Sequence, residues 1–167
     1  MNSQFLLEKL KSSEEYKTFL KENKSAYLCS GFFVIDMENR ETGNQYHFDF
    51  FVPESKKTFS FELETGVKLV PLERNDEQIL EKVSLNSSFD FDEIEKIISK
   101  EMEIKKINNK IQKIIFSLQN VKGKDLFLGT IFVSGFGMVK ANIDLKDKRV
   151  IDFEKRSFFD MLNIMRK

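Results

Sequence analysis

Residues 90–118 read DFDEIEKIISKEMEIKKINNKIQKIIFSL, and the fold turns on how this stretch is taken. Asp90 followed three residues later by Glu93 has the form of a helix capping box, in which the cap side chain accepts an N–H of the first turn and the glutamate returns the contact. Apolar residues then recur at Ile94, Ile97, Ile98, Ile104, Ile107, Ile111, Ile114, Ile115 and Leu118. That spacing predicts one apolar stripe on a long helix over 91–118. At 1.5 Å per residue the helix would run roughly 40 Å and lie across a sheet of several strands, with Glu95, Lys100, Lys105, Lys106, Lys110 and Lys113 toward water.

The segments on either side read mostly as strands. Residues 3–23 are helical in character, with Phe5, Leu6, Leu10, Tyr16, Phe19 and Leu20 as the apolar set and a second Ser-x-x-Glu box at Ser12 and Glu15, so a break near Ser12 would give two short helices. Residues 26–36 read as a strand that is apolar on both faces near Phe32, Phe33, Val34 and Ile35, the signature of an inner strand. Tyr46, Phe48, Phe50 and Val52 form the next, closed by a turn at Pro53. Phe59, Phe61 and Leu63 alternate with Ser60, Glu62 and Glu64 in a third, ended by Gly66. Residues 67–72 read as a further short strand, which Pro71 would place at an edge. Residues 73–88 fit either a short helix or an extended linker.

Beyond the central stretch, residues 120–124 form a turn with Gly123, and residues 126–134 a strand. Gly135 and Gly137 bracket Phe136 in a tight hairpin, where glycine supplies positive φ. Residues 139–145 and 150–154 are strands joined by a polar turn at 146–148, and Ser157 would cap a final helix carrying Phe158, Phe159, Leu162 and Met165.

The two halves share an order of helix, strand, hairpin, strand, lysine-containing turn, strand. Leu28 aligns with Leu126 at an offset of 98, and Phe59, Phe61 and Glu62 align with Ile151, Phe153 and Glu154 at an offset of 92. The expected fold is therefore α+β: two α-β-β-β pseudo-repeats, 1–86 and 87–167, sharing one core, with antiparallel sheet packed against the long central helix and the N-terminal helix. Whether the units form one sheet or two stays open.

Residues 137–154, GMVKANIDLKDKRVIDFE, resemble the strand, polar turn and strand that close a PepSY module. The chain as a whole also resembles small archaeal proteins with an N-terminal helix, a paired hairpin and a long helix of the Lys-Lys-Ile type seen from Lys105. The PepSY resemblance implies a helix against a curved antiparallel sheet and a binding or peptidase-modulating role, and it transfers no catalytic residue.

Composition narrows the chemistry. Lysine plus arginine equals aspartate plus glutamate at 27 each, so the chain as a whole sets up no strong positive field for nucleic acid. The single cysteine, Cys29, cannot form an internal disulfide, and no basic-plus-apolar signal region opens the sequence, which points to a cytoplasmic protein. No apolar run approaches the ~20 residues of a spanning helix.

One histidine and one cysteine cannot build a tetrahedral metal site without several carboxylates, and no cofactor motif is present. Cys29 and His47 fall on adjacent strands and are the residue types of a nucleophilic pair, but the simpler reading makes Cys29 a small buried hydrophobe and His47 a sheet residue. The carboxylates Asp90, Asp92, Glu93 and Glu95 suit the positive end of a helix dipole. Gly135-Phe136-Gly137 precedes a strand rather than a helix and so is no phosphate cradle.

The expectation is a non-catalytic interaction or regulatory module that binds a protein or peptide partner, or a second copy of itself, without membrane or cofactor. The candidate contact residues are Phe136, Met138, Phe158, Phe159 and Leu162, because exposed apolar groups at a hairpin tip or on a terminal helix mark partners. The alternative is a nucleic-acid accessory protein or an enzyme whose site carries no motif.

Overall fold

A computed structural model of the chain describes residues 1–73, 79–85 and 88–157. Among them are three helices, α1 (Ser3–Ser12), α2 (Glu14–Glu22) and α3 (Phe91–Ile104), and eight strands. The strands are β1 (Tyr27–Asp36), β2 (Gln45–Val52), β3 (Lys57–Glu62), β4 (Lys68–Leu72), β5 (Ile111–Val121), β6 (Lys124–Val133), β7 (Gly137–Asp144) and β8 (Arg149–Ser157). The class is α+β. All eight strands form one antiparallel sheet in the order β4-β3-β2-β1-β5-β6-β7-β8, so two four-stranded meanders meet at a β1–β5 seam.

The long central helix is not there. α3 stops at Ile104, its cap Lys105 donates to Glu101 and Glu103, and Lys106 turns the chain at φ 57°. The reason lies in the stripe itself: after Ile98 and Met102 the next inward helical positions fall on Lys105, Lys106 and Asn109, which cannot be buried unpaired, and Asn108-Asn109 favours a turn. The next segment, Ile111 to Leu118, is rich in β-branched residues and serves as a strand bonded on both sides, with Phe33 facing Phe116 across the seam and Leu118 facing Phe127 on β6. Asp90 does cap α3 by accepting from the Asp92 N–H at 2.8 Å, but Glu93 does not complete the box; it pairs with Lys148 at 2.8 Å.

The break near Ser12 falls as expected. Ser13 closes α1 and its hydroxyl caps α2 by accepting from the Tyr16 N–H. The starts of α1 and α3 are tied together, since Ser3 N–H donates to the Phe89 carbonyl at 2.8 Å and Phe89 N–H to the Ser3 hydroxyl at 3.0 Å.

The strands at the expected offsets are not counterparts in the sheet. Counting outward from the seam, Leu28 is on the first strand of its meander and Leu126 on the second, while Phe59 is on the third and Ile151 on the fourth. Both matches slip by one strand. Taking 111–118 as helix removes β5 from the second half and shifts every later strand by one; each meander has four strands rather than three.

One face of the sheet carries the core. Phe33, Tyr46, Phe48, Phe50, Phe61, Phe116 and Phe127 point to it and pack against Leu6 and Leu10 of α1, Phe19 of α2, and Phe91, Ile94, Ile98 and Met102 of α3. The rings interlock edge to face, with Phe89 to Phe127 at 4.6 Å and Phe19 to Phe61 at 5.3 Å between centroids. Gly129 lets β6 sit close to β7: a Cβ there would stand 2.9 Å from the Ala141 carbonyl oxygen and 3.0 Å from the Phe116 ring. Between the meanders, residues 79–85 form neither helix nor strand; Val83 is buried and its N–H donates to the Leu28 carbonyl.

Candidate binding surface

Because successive side chains of a strand alternate between faces, fixing Phe33, Phe116 and Phe127 on the helix side puts their neighbours on the other. The register then gives rows across that second face. One runs His47, Phe32, Ser117, Leu128, Asn142, Asp152; the next Val34, Ile115, Thr130, Lys140, Glu154; and the last, at the end bearing the β6–β7 turn, Asp36, Lys113, Phe132, Met138, Arg156. No described helix lies on it. Phe32, Ile115, Leu128 and Met138 are half-buried there and Phe132 is exposed.

The opposite end of this face is closed and polar. Ser30 donates to Asp49 Oδ2 at 2.7 Å, Ser60 stands beside Asp49 in the ladder, and all three are buried. Among the described residues, the Ser60 hydroxyl is buried without a hydrogen-bond partner. Cys29, in the β-bulge next to Ser30, donates its thiol to the Asp49 carbonyl at 3.4 Å. His47 turns instead to Glu64 Oε1 at 2.9 Å and to the ring of Phe32. The two residues of the nucleophilic pair thus engage different partners.

Two aspartates hold the turns at the sheet ends. Asp36, the last residue of β1, accepts the backbone N–H groups of Glu38 and Asn39 and pairs with Lys113 at 3.2 Å. The Asn39 N–H contributes most to holding its carboxyl below the usual range; burial pushes the other way, and Lys113 and the Glu38 N–H add to the lowering. Asp144, the last residue of β7, does the same for Lys146 and Asp147 and meets Lys124 at 3.4 Å. Burial pushes its pKa up, but the Asp147 N–H, Lys124 and the Lys146 N–H outweigh it and the net shift is downward.

The hairpin tip is rigidly built. Ser134 N–H donates to the Lys110 carbonyl at 2.8 Å, Lys110 N–H to the Ser134 hydroxyl at 3.0 Å, and the Asn109 amide to the Ser134 carbonyl at 2.8 Å. Lys155 holds the Asn109 side-chain oxygen at 3.2 Å. Gly135 takes φ 77°, as the sequence predicts, but Phe136 is also left-handed at φ 58° and its side chain is 80% exposed. A bulky L-residue in that region is strained, and strain of this kind gathers at functional positions.

The structure brings Phe136 and Met138 to one end of the second face. Phe158, Phe159 and Leu162, and the expected terminal helix, lie outside the described residues. Phe132, Ile115, Leu128 and Phe32 join the surface without having been singled out by sequence. Their signal was there: β6 is apolar in both phases, through Phe127 and Ile131 as well as Leu126, Leu128 and Phe132, which a sheet with helices on one face does not require. Among the described residues no group of three histidine, cysteine, aspartate or glutamate side chains could hold a metal, and no helix is long and apolar enough to cross a membrane.

No family model matches the chain, and no curated protein matches it. Among solved structures it is similar to the crystal structure of a "putative lipoprotein" from Clostridium difficile 630, with 16% identity over 86% of this chain and 91% of that chain and a TM-score of 0.55. At that identity the likeness is one of fold, and it extends to the α+β arrangement of helices and sheet.

Proposed function

We propose that this chain is a non-catalytic binding module that receives an extended protein or peptide segment on the helix-free face of its sheet. The observation that carries the reading is the distribution of apolar side chains: the core is complete on the helix side, yet Phe32, Ile115, Leu128, Phe132 and Met138 stand on the other side, where no described helix covers them. Apolar groups in register on a sheet face that no described helix covers offer area and pockets for alternate side chains of an extended segment. The polar residues between them, Ser117, Thr130 and Asn142, supply hydrogen bonds that fix orientation.

The two-meander architecture suits this role. Joining two four-stranded units at the β1–β5 seam makes a face wide enough for a bound segment to cross several strands while the helices brace the back.

The test is selection of a displayed peptide library on the intact chain, followed by affinity measurement with purified peptides. Leu128→Asp and Ile115→Asp should each weaken binding about tenfold or more, because a buried carboxylate opposes an apolar contact, while Phe5→Asp on α1, 54% exposed and on the other side, should leave it unchanged. Peptides that bind equally well to all three variants, each folded by circular dichroism, would refute the assignment of this face.

A further inference from the structure

We propose that the β6–β7 tip is a docking element for an anionic lipid surface, with Phe136 entering the interface and a set of basic side chains seating on the headgroups. This goes beyond the peptide-binding reading and does not depend on it, since Leu128 and Ile115 lie away from the tip.

Three observations carry it. Phe136 projects from the end of the sheet at 80% exposure, and the network of Ser134, Lys110 and Asn109 holds it there, so its exposure is built rather than incidental. Its apolar neighbours at that end are the cross-strand pair Phe132 and Met138, with Phe132 39% exposed.

Basic side chains stand on the elements that carry the tip. Lys110, Lys140 and Lys155 are exposed and have no carboxylate at ion-pair distance among the described residues, while Lys113 and Arg156 pair with Asp36 and Glu154. Among the described residues Lys110 and Lys155 are the cations of this set with no facing carboxylate, since Lys140 stands opposite Glu154 in the β7–β8 ladder.

A convex tip, rather than a groove, decides the occupant. Single-stranded nucleic acid is held in basic channels lined by several aromatic platforms. One protruding phenylalanine with exposed lysines on the neighbouring segments instead matches the interfacial pattern, apolar insertion plus attraction to anionic headgroups, in which each lysine or arginine near the surface adds to binding and salt removes it.

The chain has no tryptophan, so Phe136→Trp introduces a single indole at the tip. Its emission should shift to the blue with phosphatidylcholine vesicles containing phosphatidylserine, stay unshifted with phosphatidylcholine alone, and return toward the free value in high salt. In co-sedimentation of the otherwise unaltered chain, Phe136→Ser should lower the vesicle partition coefficient about tenfold, from the apolar area lost. The double substitution Lys110→Glu with Lys155→Glu should lower it about tenfold or more, and Phe5→Ser should leave it unchanged. All are exposed positions, and unchanged thermal melts confirm the fold. The proposal is overturned by absence of binding, by equal binding to neutral vesicles, by Phe136→Ser binding as well as the parent, or by an indole shift that polyglutamate or single-stranded DNA produces and vesicles do not.

Discussion

Phe127 and Phe132 sit five residues apart on β6 and point to opposite faces, which makes them a measured contrast. Phe127 is fully buried, with ring centroids at 4.6 Å from Phe89, 4.9 Å from Phe116, 5.9 Å from Phe33 and 6.5 Å from Phe91. Truncating a buried phenylalanine to alanine costs ~3–5 kcal/mol, and four ring neighbours place Phe127→Ala toward the top of that range. That is a large share of the ~5–15 kcal/mol that holds an ordinary domain. Phe132 is 39% exposed and touches no packed helix, so Phe132→Ala should stay within ~1 kcal/mol. Urea unfolding followed by far-ultraviolet circular dichroism reads both. With a slope of about 2 kcal/mol per molar, Phe127→Ala should lower the midpoint by about 2 M and Phe132→Ala by less than about 0.5 M. Equal losses at the two positions, or a larger loss at Phe132, would refute the division of the sheet into a packed and an open face.

Asp36→Asn and Asp144→Asn should each destabilise at neutral pH. A carboxyl whose pKa is lowered by folding contributes stability above its unfolded value near ~3.9 and loses it as pH falls through the folded value. The gap between each variant and the parent should therefore close in acid, and a gap of the same size at pH 2 and pH 7 would contradict the assignment. Gly129→Ala should cost ~1–3 kcal/mol, since the new Cβ meets the Ala141 backbone carbonyl and cannot be relieved by a side-chain movement. Lys122→Gly, at φ 52° in the β5–β6 turn, should instead be neutral or stabilising by a few tenths of a kcal/mol, because relief of left-handed strain slightly exceeds the added chain entropy. Cys29, 1% exposed, should react with a thiol reagent in the native chain far more slowly than in urea, and equal rates would place it at the surface.

The strands were legible wherever period-two alternation and a turn residue coincided. Phe59-Phe61 with Gly66, the Gly135-Phe136-Gly137 hairpin and the inner-strand character of Phe32 to Ile35 all come from local sequence. The central stretch misled because Ile111, Ile114, Ile115 and Leu118 satisfy a helical spacing and a strand equally well, and periodicity alone does not separate them. The deciding cues were local: Lys105-Lys106 on the inward positions, where the chain turns, and the poor helix formers Asn108-Asn109 that follow. Missing β5 then displaced the repeat alignment by one strand. The open face was harder to read, since its residues become neighbours only through the register of β1, β5, β6 and β7. Phe136 was legible as an exposed tip, but its positive φ was not, because glycines on both sides appeared sufficient to make the turn.

The sheet, its seam and its open face all rest on the conformation of residues 105–118. Nuclear Overhauser contacts on the isotope-labelled chain test it directly. A strand at β5 predicts cross-strand contacts between backbone protons of β1 and β5, among them Phe33 with Phe116 and Gly31 with Leu118, together with slowly exchanging amides through β5. Sequential i to i+3 contacts running unbroken from Ile104 through Leu118, with no contact from that segment to β1, would mean a helix over the sheet and would contradict it.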